Sequence, residues 1–179
     1  MDEFELIKYY FQKLTKNNLN ALKLNDDVFF DKKNKIVLSV DTYNEGVHYL
    51  NFKNPKLLIK KIIRSSISDL ICKGVKPKYI FISGSGNKNH FNKKNLKLIS
   101  KSINEEQKKY NIKLSGGDTT TSKTSSFTIV SLGLSQKIVK RNKVSIGEDI
   151  YVTGNLGDSF MGLQILKKKI NFNNKLNNY

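Results

Sequence analysis

Residues 54–74, NPKLLIKKIIRSSISDLICKG, constrain the fold of this chain more than any other stretch. Asn54 stands where a helix N-cap accepts the first free amides, Pro55 takes the first helical position, and Gly74 followed by Pro77 ends the run. Between these signals Ile59, Ile63, Ile67, Leu70 and Ile71 form an apolar stripe, so one face of this helix must be buried. The flanking segments offer a partner: KIVLSVDT, whose apolar run ends at Asp41, and KYIFISGSG at 78–86 both have strand length and strand composition.

The same alternation continues along the chain. Residues 92–110 predict a polar amphipathic helix carrying Leu96, Ile99 and Ile103, and NIKLSGGD and SSFTIVSLGLSQ predict two more strands with a polar Gly-Gly-Asp bend between them. Strands alternating with helices mean an α/β or α+β layer of helices on a sheet. Ahead of this, Phe4, Ile7, Phe11 and Leu14 predict a short amphipathic helix over 3–15, followed by a loop as far as Asp27. After residue 136, GEDIYVTG predicts a strand running into GNLGDS and a helix from FMGLQILKKK, and INFNNKLNNY then brings no closing element. The expected organisation is a first domain over 1–136 and, over 137–179, the beginning of a second α/β domain that is cut short.

The 179 residues carry a net charge of +17, which would ordinarily point to nucleic acid or an anionic surface. Here the charge is almost all lysine, spread over exposed helix faces and loops; only Arg64 and Arg141 are arginines, and no basic block interleaves with aromatics. No nucleic-acid partner is therefore expected. Cys72 is the lone cysteine, which rules out an internal disulfide and a cysteine-built zinc site and suits a reducing, cytoplasmic setting. The acidic start MDEFELIKYY lacks the basic and apolar regions of a signal peptide, and no stretch is apolar enough to span a bilayer, so no membrane is expected.

In so basic a chain the carboxylates stand out. Asp26 and Asp27 precede a strand, Asp41 ends one, Asp69 lies on the central helix, and Asp118 follows Gly116-Gly117. Carboxylates at strand and loop ends are the hard oxygen ligands that magnesium shares with substrate phosphates, and clustered they would repel one another without a cation. Each also has a plainer explanation. Asp26-Asp27 suits an exposed turn, Asp118 a hairpin, and Asp69 an ion pair with Lys73 one turn on, although Ser65 and Ser66 beside it leave room for an approaching group. VTGNLGDS enters a helix, so its amides could hold an anion, or Asp158 or Ser159 could cap it. No Gly-Lys-Ser/Thr loop exists.

Taken in order, EFELI, NDD at 25–27, SVDTYNEGVHY at 39–49, ISDL at 67–70, GGDTT at 116–120 and GEDIYVTGNLGDSFMGL at 147–163 resemble the thiamine-monophosphate kinase family. That family falls within the aminoimidazole ribonucleotide synthetase-like superfamily. The resemblance runs through the whole chain and matches about the first half of the family's usual length. It implies a mixed sheet with helices packed on one face, first domains that pair into a homodimer, and ATP-dependent phosphorylation of thiamine monophosphate to thiamine diphosphate. The implied transfer is direct and assisted by Mg2+, with no side-chain nucleophile.

Carried over by motif, the resemblance implies metal ligation by Asp27, Ser39, Val40, Asp41, Asp69 and Asp118. Val40 stands where threonine is usual, which leaves only its carbonyl to serve. Gly117, Asp118 and Arg141 would contact ATP, and His48 the thiamine phosphate. Asn25 replaces a usual glycine, and asparagine tolerates a left-handed backbone; Thr121 replaces a common arginine. Two alternatives stay open: another ATP-using enzyme of the superfamily, and a non-catalytic nucleotide-binding or dimerisation module.

Overall fold

The computed structural model describes residues 1–142 and 144–170, and it divides into two compact units, Met1–Lys143 and Val144–Tyr179. The first holds a five-stranded sheet of β1 (Phe29–Asp31), β2 (Ile36–Asn44), β3 (Pro77–Gly86), β4 (Lys113–Thr121) and β5 (Ser126–Leu134), in the order β1-β2-β5-β3-β4. All pairs are antiparallel except β3 with β4, which run parallel, so the sheet is mixed.

Two long helices cover one face of it. In α2 (Pro55–Cys72) the Asn54 side chain accepts from the Leu57 amide at 3.1 Å, the expected cap. Its other end closes with Gly74 at φ +72°, the Gly74 amide on the Ile71 carbonyl and the Val75 amide on the Leu70 carbonyl, a Schellman motif. Ile59, Ile62, Ile63 and Ile67 are completely buried and pack with Ile80 of β3 and Phe127 and Ile129 of β5. Removing that much apolar surface from water is the main force holding helix to sheet. α3 (Lys93–Tyr110) starts at an Asn92 cap and sets Ile99 and Ile103 against the same core. Ser66, buried, meets Ser131 of β5 at 2.9 Å, so the small residues of α2 let helix and sheet approach.

Alternation along β2 and β5 puts Val37, Ser39 and Tyr43 with Phe127 and Ile129 on the helix side, and leaves Val40, Thr42 and Asn44 exposed on the other. The register aligns Thr42, Thr128, Ser83 and Asp118 in one row across that uncovered face.

Three expectations need correction. The strand expected from NIKLSGGD forms, but it runs straight through the expected Gly-Gly-Asp bend as an edge strand over Lys113–Thr121, separated from β5 by β3 and exposed along its whole length. Residues 3–15 form α1 (Glu3–Leu6), then a π-turn over Ile7–Phe11 and a 3-10 turn over Gln12–Thr15. The wide turn shifts the stripe off one line, and Phe4, Phe11 and Leu14 are exposed. In the second unit α4 (Asp158–Leu166) forms where a helix was expected, with Gly157 at its N-cap and no side-chain cap. The strand expected from GEDIYVTG does not form among the described residues. Of INFNNKLNNY, residues 171–179 lie outside the described residues.

Candidate functional site

Beside the middle of β2 the chain gathers four aspartates; Asp41, expected to end its strand, lies within it, since pairing with β5 carries β2 on to Asn44. Asp41 continues the helix-side row of β2, Asp69 reaches the same place from the last turns of α2, and Asp26-Asp27 arrive from the segment before β1. Asp26, Asp27, Val40, Asp41, Asp69 and Arg141 line a cleft of about 770 Å³. Ser39 lies just beneath, 2% exposed, and its hydroxyl donates to Asp69 at 2.9 Å and lies 3.3 Å from Asp41.

The two halves of this acidic group are electrostatically unlike. Burial raises the Asp41 carboxyl above its ordinary range against the hydroxyls of Ser66 and Ser39, and the charge of Asp27 raises it further. Asp69 is likewise raised, first by burial and then by the charges of Asp41 and Asp27, with Ser39 and Lys73 opposing. Tyr43, under the same site, has its phenol pushed up to about 12, mainly by burial.

Asp26 behaves oppositely. Burial alone would raise its carboxyl, but Lys73, the amides of Arg141 and Asp27, and the Lys73 charge outweigh it and lower it. The Lys73 ammonium is 5% exposed and stands 2.5 Å from Asp26 and 3.0 Å from Asp27. The Arg141 guanidinium pairs with the remaining oxygen of Asp27, and the Arg141 amide donates to Asp26 at 3.2 Å. So Lys73 pairs not with Asp69, the partner that helical spacing suggested, but with the two aspartates before β1.

The approach to this pair is unusual. Leu22, Lys23 and Leu24 take φ of 52°, 58° and 54°, three successive non-glycine residues in the left-handed region, at a cost of order 1 kcal/mol or more each. Gln12 reaches over to the Lys23 carbonyl at 3.0 Å and the Asn25 side chain at 3.2 Å. Asn25 itself sits at φ −104°, so the left-handed turn expected of it falls on its predecessors.

Not every expected residue joins the cleft. Asp118 sits on the edge strand β4 opposite Ser83, three strands over from β2 with β5 and β3 between, where its carboxylate accepts from the Thr119 amide at 2.8 Å. At the usual strand spacing that is roughly 14 Å from Asp41. Gly117 next to it is required by packing: a Cβ there would lie 1.8 Å from the Ile82 carbonyl oxygen, just past the bulge that leaves Ser115 unpaired. Thr121 lies exposed opposite Gly86. His48 lies exposed in the loop after β2, edge-on to Tyr43 at 5.8 Å, its Nδ1 accepting from the Asn44 amide at 2.9 Å. His90, in the turn before α3, stands 3.3 Å from Glu45, whose carboxylate also accepts from the Ser125 amide and hydroxyl.

Among the described residues no three His, Cys, Asp or Glu side chains already form a metal-holding group. The donor set nevertheless suits a hard cation that completes its shell with phosphate and water: two carboxylates and a hydroxyl, with no Lys or Arg among the described residues hydrogen-bonded to either carboxylate. Among the described residues no helix is long and apolar enough to cross a membrane. The lone cysteine, Cys72, is a free thiol on the surface of α2.

Residues 24–135 match the family described as AIR synthase related protein, N-terminal domain. A thiamine-monophosphate kinase of Buchnera aphidicola subsp. Acyrthosiphon pisum is 37% identical over 99% of this chain and 56% of its own length. Two solved structures share the fold. One, AaThiL complexed with AMPPCP and TMP, has a TM-score of 0.80 at 26% identity, over 97% of this chain and 56% of that one. The other, thiamine monophosphate kinase from Aquifex aeolicus, has a TM-score of 0.77 at 25% identity, over 98% and 58%. The chain thus spans little more than half the length of the relatives it matches.

Proposed function

Since this chain belongs to the AIR synthase related protein family, we propose that it forms the nucleotide- and magnesium-handling part of a thiamine-monophosphate kinase. In that reading, the γ-phosphoryl group of ATP passes directly to the phosphate of thiamine monophosphate, giving thiamine diphosphate and ADP. The cleft carries the reading: Asp41 and Asp69 meet there with only hydroxyl donors among the described residues, beside an arginine, in a chain whose relatives are named for this activity. A relative of the same fold complexed with AMPPCP and TMP supports the choice of ligands.

Phosphoryl transfer asks a protein for alignment and charge neutralisation more than for covalent chemistry. Magnesium, when bound, supplies the neutralisation of phosphate charge. Asp41 and Asp69 would hold it, with Asp27, the Ser39 hydroxyl and the Val40 carbonyl near at hand. Ser39 fixes the rotamer of Asp69 by its hydrogen bond, and burial of the site strengthens every charge interaction within it. Arg141 faces the cleft with an exposed guanidinium that can turn from Asp27 to a phosphate oxygen. His48 is assigned to the thiamine phosphate, and Gly117 with Asp118 to ATP and metal.

The uncovered sheet face and the bare edge of β4 support a homodimer in which such faces come together, which would also bring Asp118 toward a site that it does not reach within one chain. The residues from 137 on are read as the opening of a second domain, and a cytoplasmic location follows from the biosynthetic role. The test is titration of the 179-residue chain with AMPPCP. Binding should require Mg2+ and weaken at least tenfold in Asp41→Asn and in Asp118→Asn; metal-independent binding indifferent to both substitutions would overturn the assignment.

A further inference from the structure

Lys73 is held from both ends. Its amide closes the last turn of α2 on Leu70, and its carbonyl accepts from the Val139 amide at 3.1 Å, fastening the segment that carries Arg141. From this fixed point the ammonium runs back under the Asp26-Asp27 pair, 5% exposed, with Asp26 equally buried. The donors around the pair then account for every oxygen. Asp26 Oδ1 takes Lys73 and the Asp27 amide, and Asp26 Oδ2 the Arg141 amide. Asp27 Oδ2 takes Lys73, and Asp27 Oδ1 the Arg141 guanidinium.

A carboxylate pair so enclosed has little to offer a metal ion, because an ion would have to displace a buried ammonium from both carboxylates. Across the same cleft, no Lys or Arg among the described residues is hydrogen-bonded to Asp41 or Asp69, and Lys73 acts on Asp69 only through its charge. We propose that Lys73 is a resident cation of the cleft, occupying the place on Asp26 and Asp27 that a divalent ion would otherwise take, so that added divalent ions enter through Asp41 and Asp69. This rests on the reading of the cleft as a divalent-cation site, and it departs from the motif-based assignment of Asp27 as a metal ligand equal to the others.

The experiment counts Mn2+ ions bound to the 179-residue chain by electron paramagnetic resonance of the free ion, with thermal melts recorded alongside. Wild type should bind Mn2+ with an affinity that Asp41→Asn lowers at least tenfold and Asp27→Asn changes less than threefold. Lys73→Met should bind an additional equivalent, or bind at least fivefold more tightly, and the gain should vanish in Lys73→Met/Asp27→Asn. If Lys73→Met folds only with Mn2+ present, that too supports the proposal. If it does not fold at all, Lys73→Gln serves in its place and should show a larger Mn2+-induced rise in melting temperature than wild type. Retained sensitivity to Asp41→Asn without any gain on replacing Lys73, or equal sensitivity to Asp27→Asn and Asp41→Asn, overturns the resident-cation role alone. Wild-type binding that is absent, or indifferent to Asp41→Asn, overturns the cleft reading and this inference with it.

Discussion

Ser39 on β2 donates its hydroxyl to Asp69 on α2 across 2.9 Å, joining the sheet to the helix at the centre of the acidic cleft. Asp41 lies 3.3 Å from the same hydroxyl, so a single proton serves two carboxylates, each raised above the ordinary range chiefly by burial. A carboxyl whose folded pKa is raised penalises the fold when ionised. The penalty is complete above the folded value, shrinks as pH falls through it, and is gone below the unfolded value of 3.8. Asp41→Asn is therefore expected to stabilise the chain at pH 7 by something of the order of 1 kcal/mol. Thermal melts should show that gain closing toward pH 4, and a gain independent of pH would contradict the electrostatic origin.

Asp26 and Lys73 have the opposite sign. Asp26 is lowered from 3.8, so its contribution is present above that value and lost as pH falls through the folded value; Lys73 is raised from 10.5, so its contribution is present below that and lost as pH rises through its folded value. Between these limits Asp26→Asn leaves a buried ammonium with half its partners and should cost about 3 kcal/mol. Urea unfolding over a pH series provides the check: the deficit should be full at pH 7 and shrink steadily as pH is taken below 3.8.

Much of this architecture is legible locally. The Asn54 and Asn92 caps, the isoleucine stripe of α2 and the alternation of β2 and β5 are signals contained within a few residues, and the structure has each of them. What was not legible depends on distant contacts. β4 is legible as a strand in NIKLSGGD, but its place at the edge beside β3, and not next to β5, is set by pairing with residues far along the chain. The left-handed turn at Leu22–Leu24 carries no glycine or asparagine, the usual signals. That Asp27, Asp41 and Asp69 share a cleft while Asp118 does not follows from strand order, and strand order is not written in spacing. Helical spacing offers Lys73 to Asp69 one turn back, but its actual partners, Asp26 and Asp27, lie far away in the sequence and leave no local sign.

Arg64 illustrates the same point away from the cleft. Its Nε and one terminal nitrogen donate to the two oxygens of Glu106 at 2.7 and 2.8 Å, and Glu106 is 1% exposed between α2 and α3. Arg64→Lys keeps the charge but loses the fork that matches a carboxylate, and should cost about 1–2 kcal/mol. Arg64→Ala leaves Glu106 unpaired and should cost about 3–5 kcal/mol. Denaturant midpoints for the two variants should fall in that order; equal losses would show that only charge matters at this site.

Gly117 tests whether the Gly-Gly-Asp motif is structural as well as functional. Its φ of +154° and the Ile82 carbonyl 1.8 Å from any Cβ leave room for nothing larger while β4 stays paired to β3. Gly46, at φ +81° with no atom within 4 Å of where a Cβ would stand, is the control in which only backbone strain is at stake. Gly117→Ala should cost at least 2 to 3 kcal/mol, roughly the scale of overpacking, against about 1 kcal/mol for Gly46→Ala. Hydrogen exchange should locate the damage, with amides of β4 and the β3 edge losing protection while those of β2 and β5 keep it. Protection of β4 unchanged in Gly117→Ala would mean that the strand can shift to admit a side chain, and the glycine would then be needed only for what approaches it from outside.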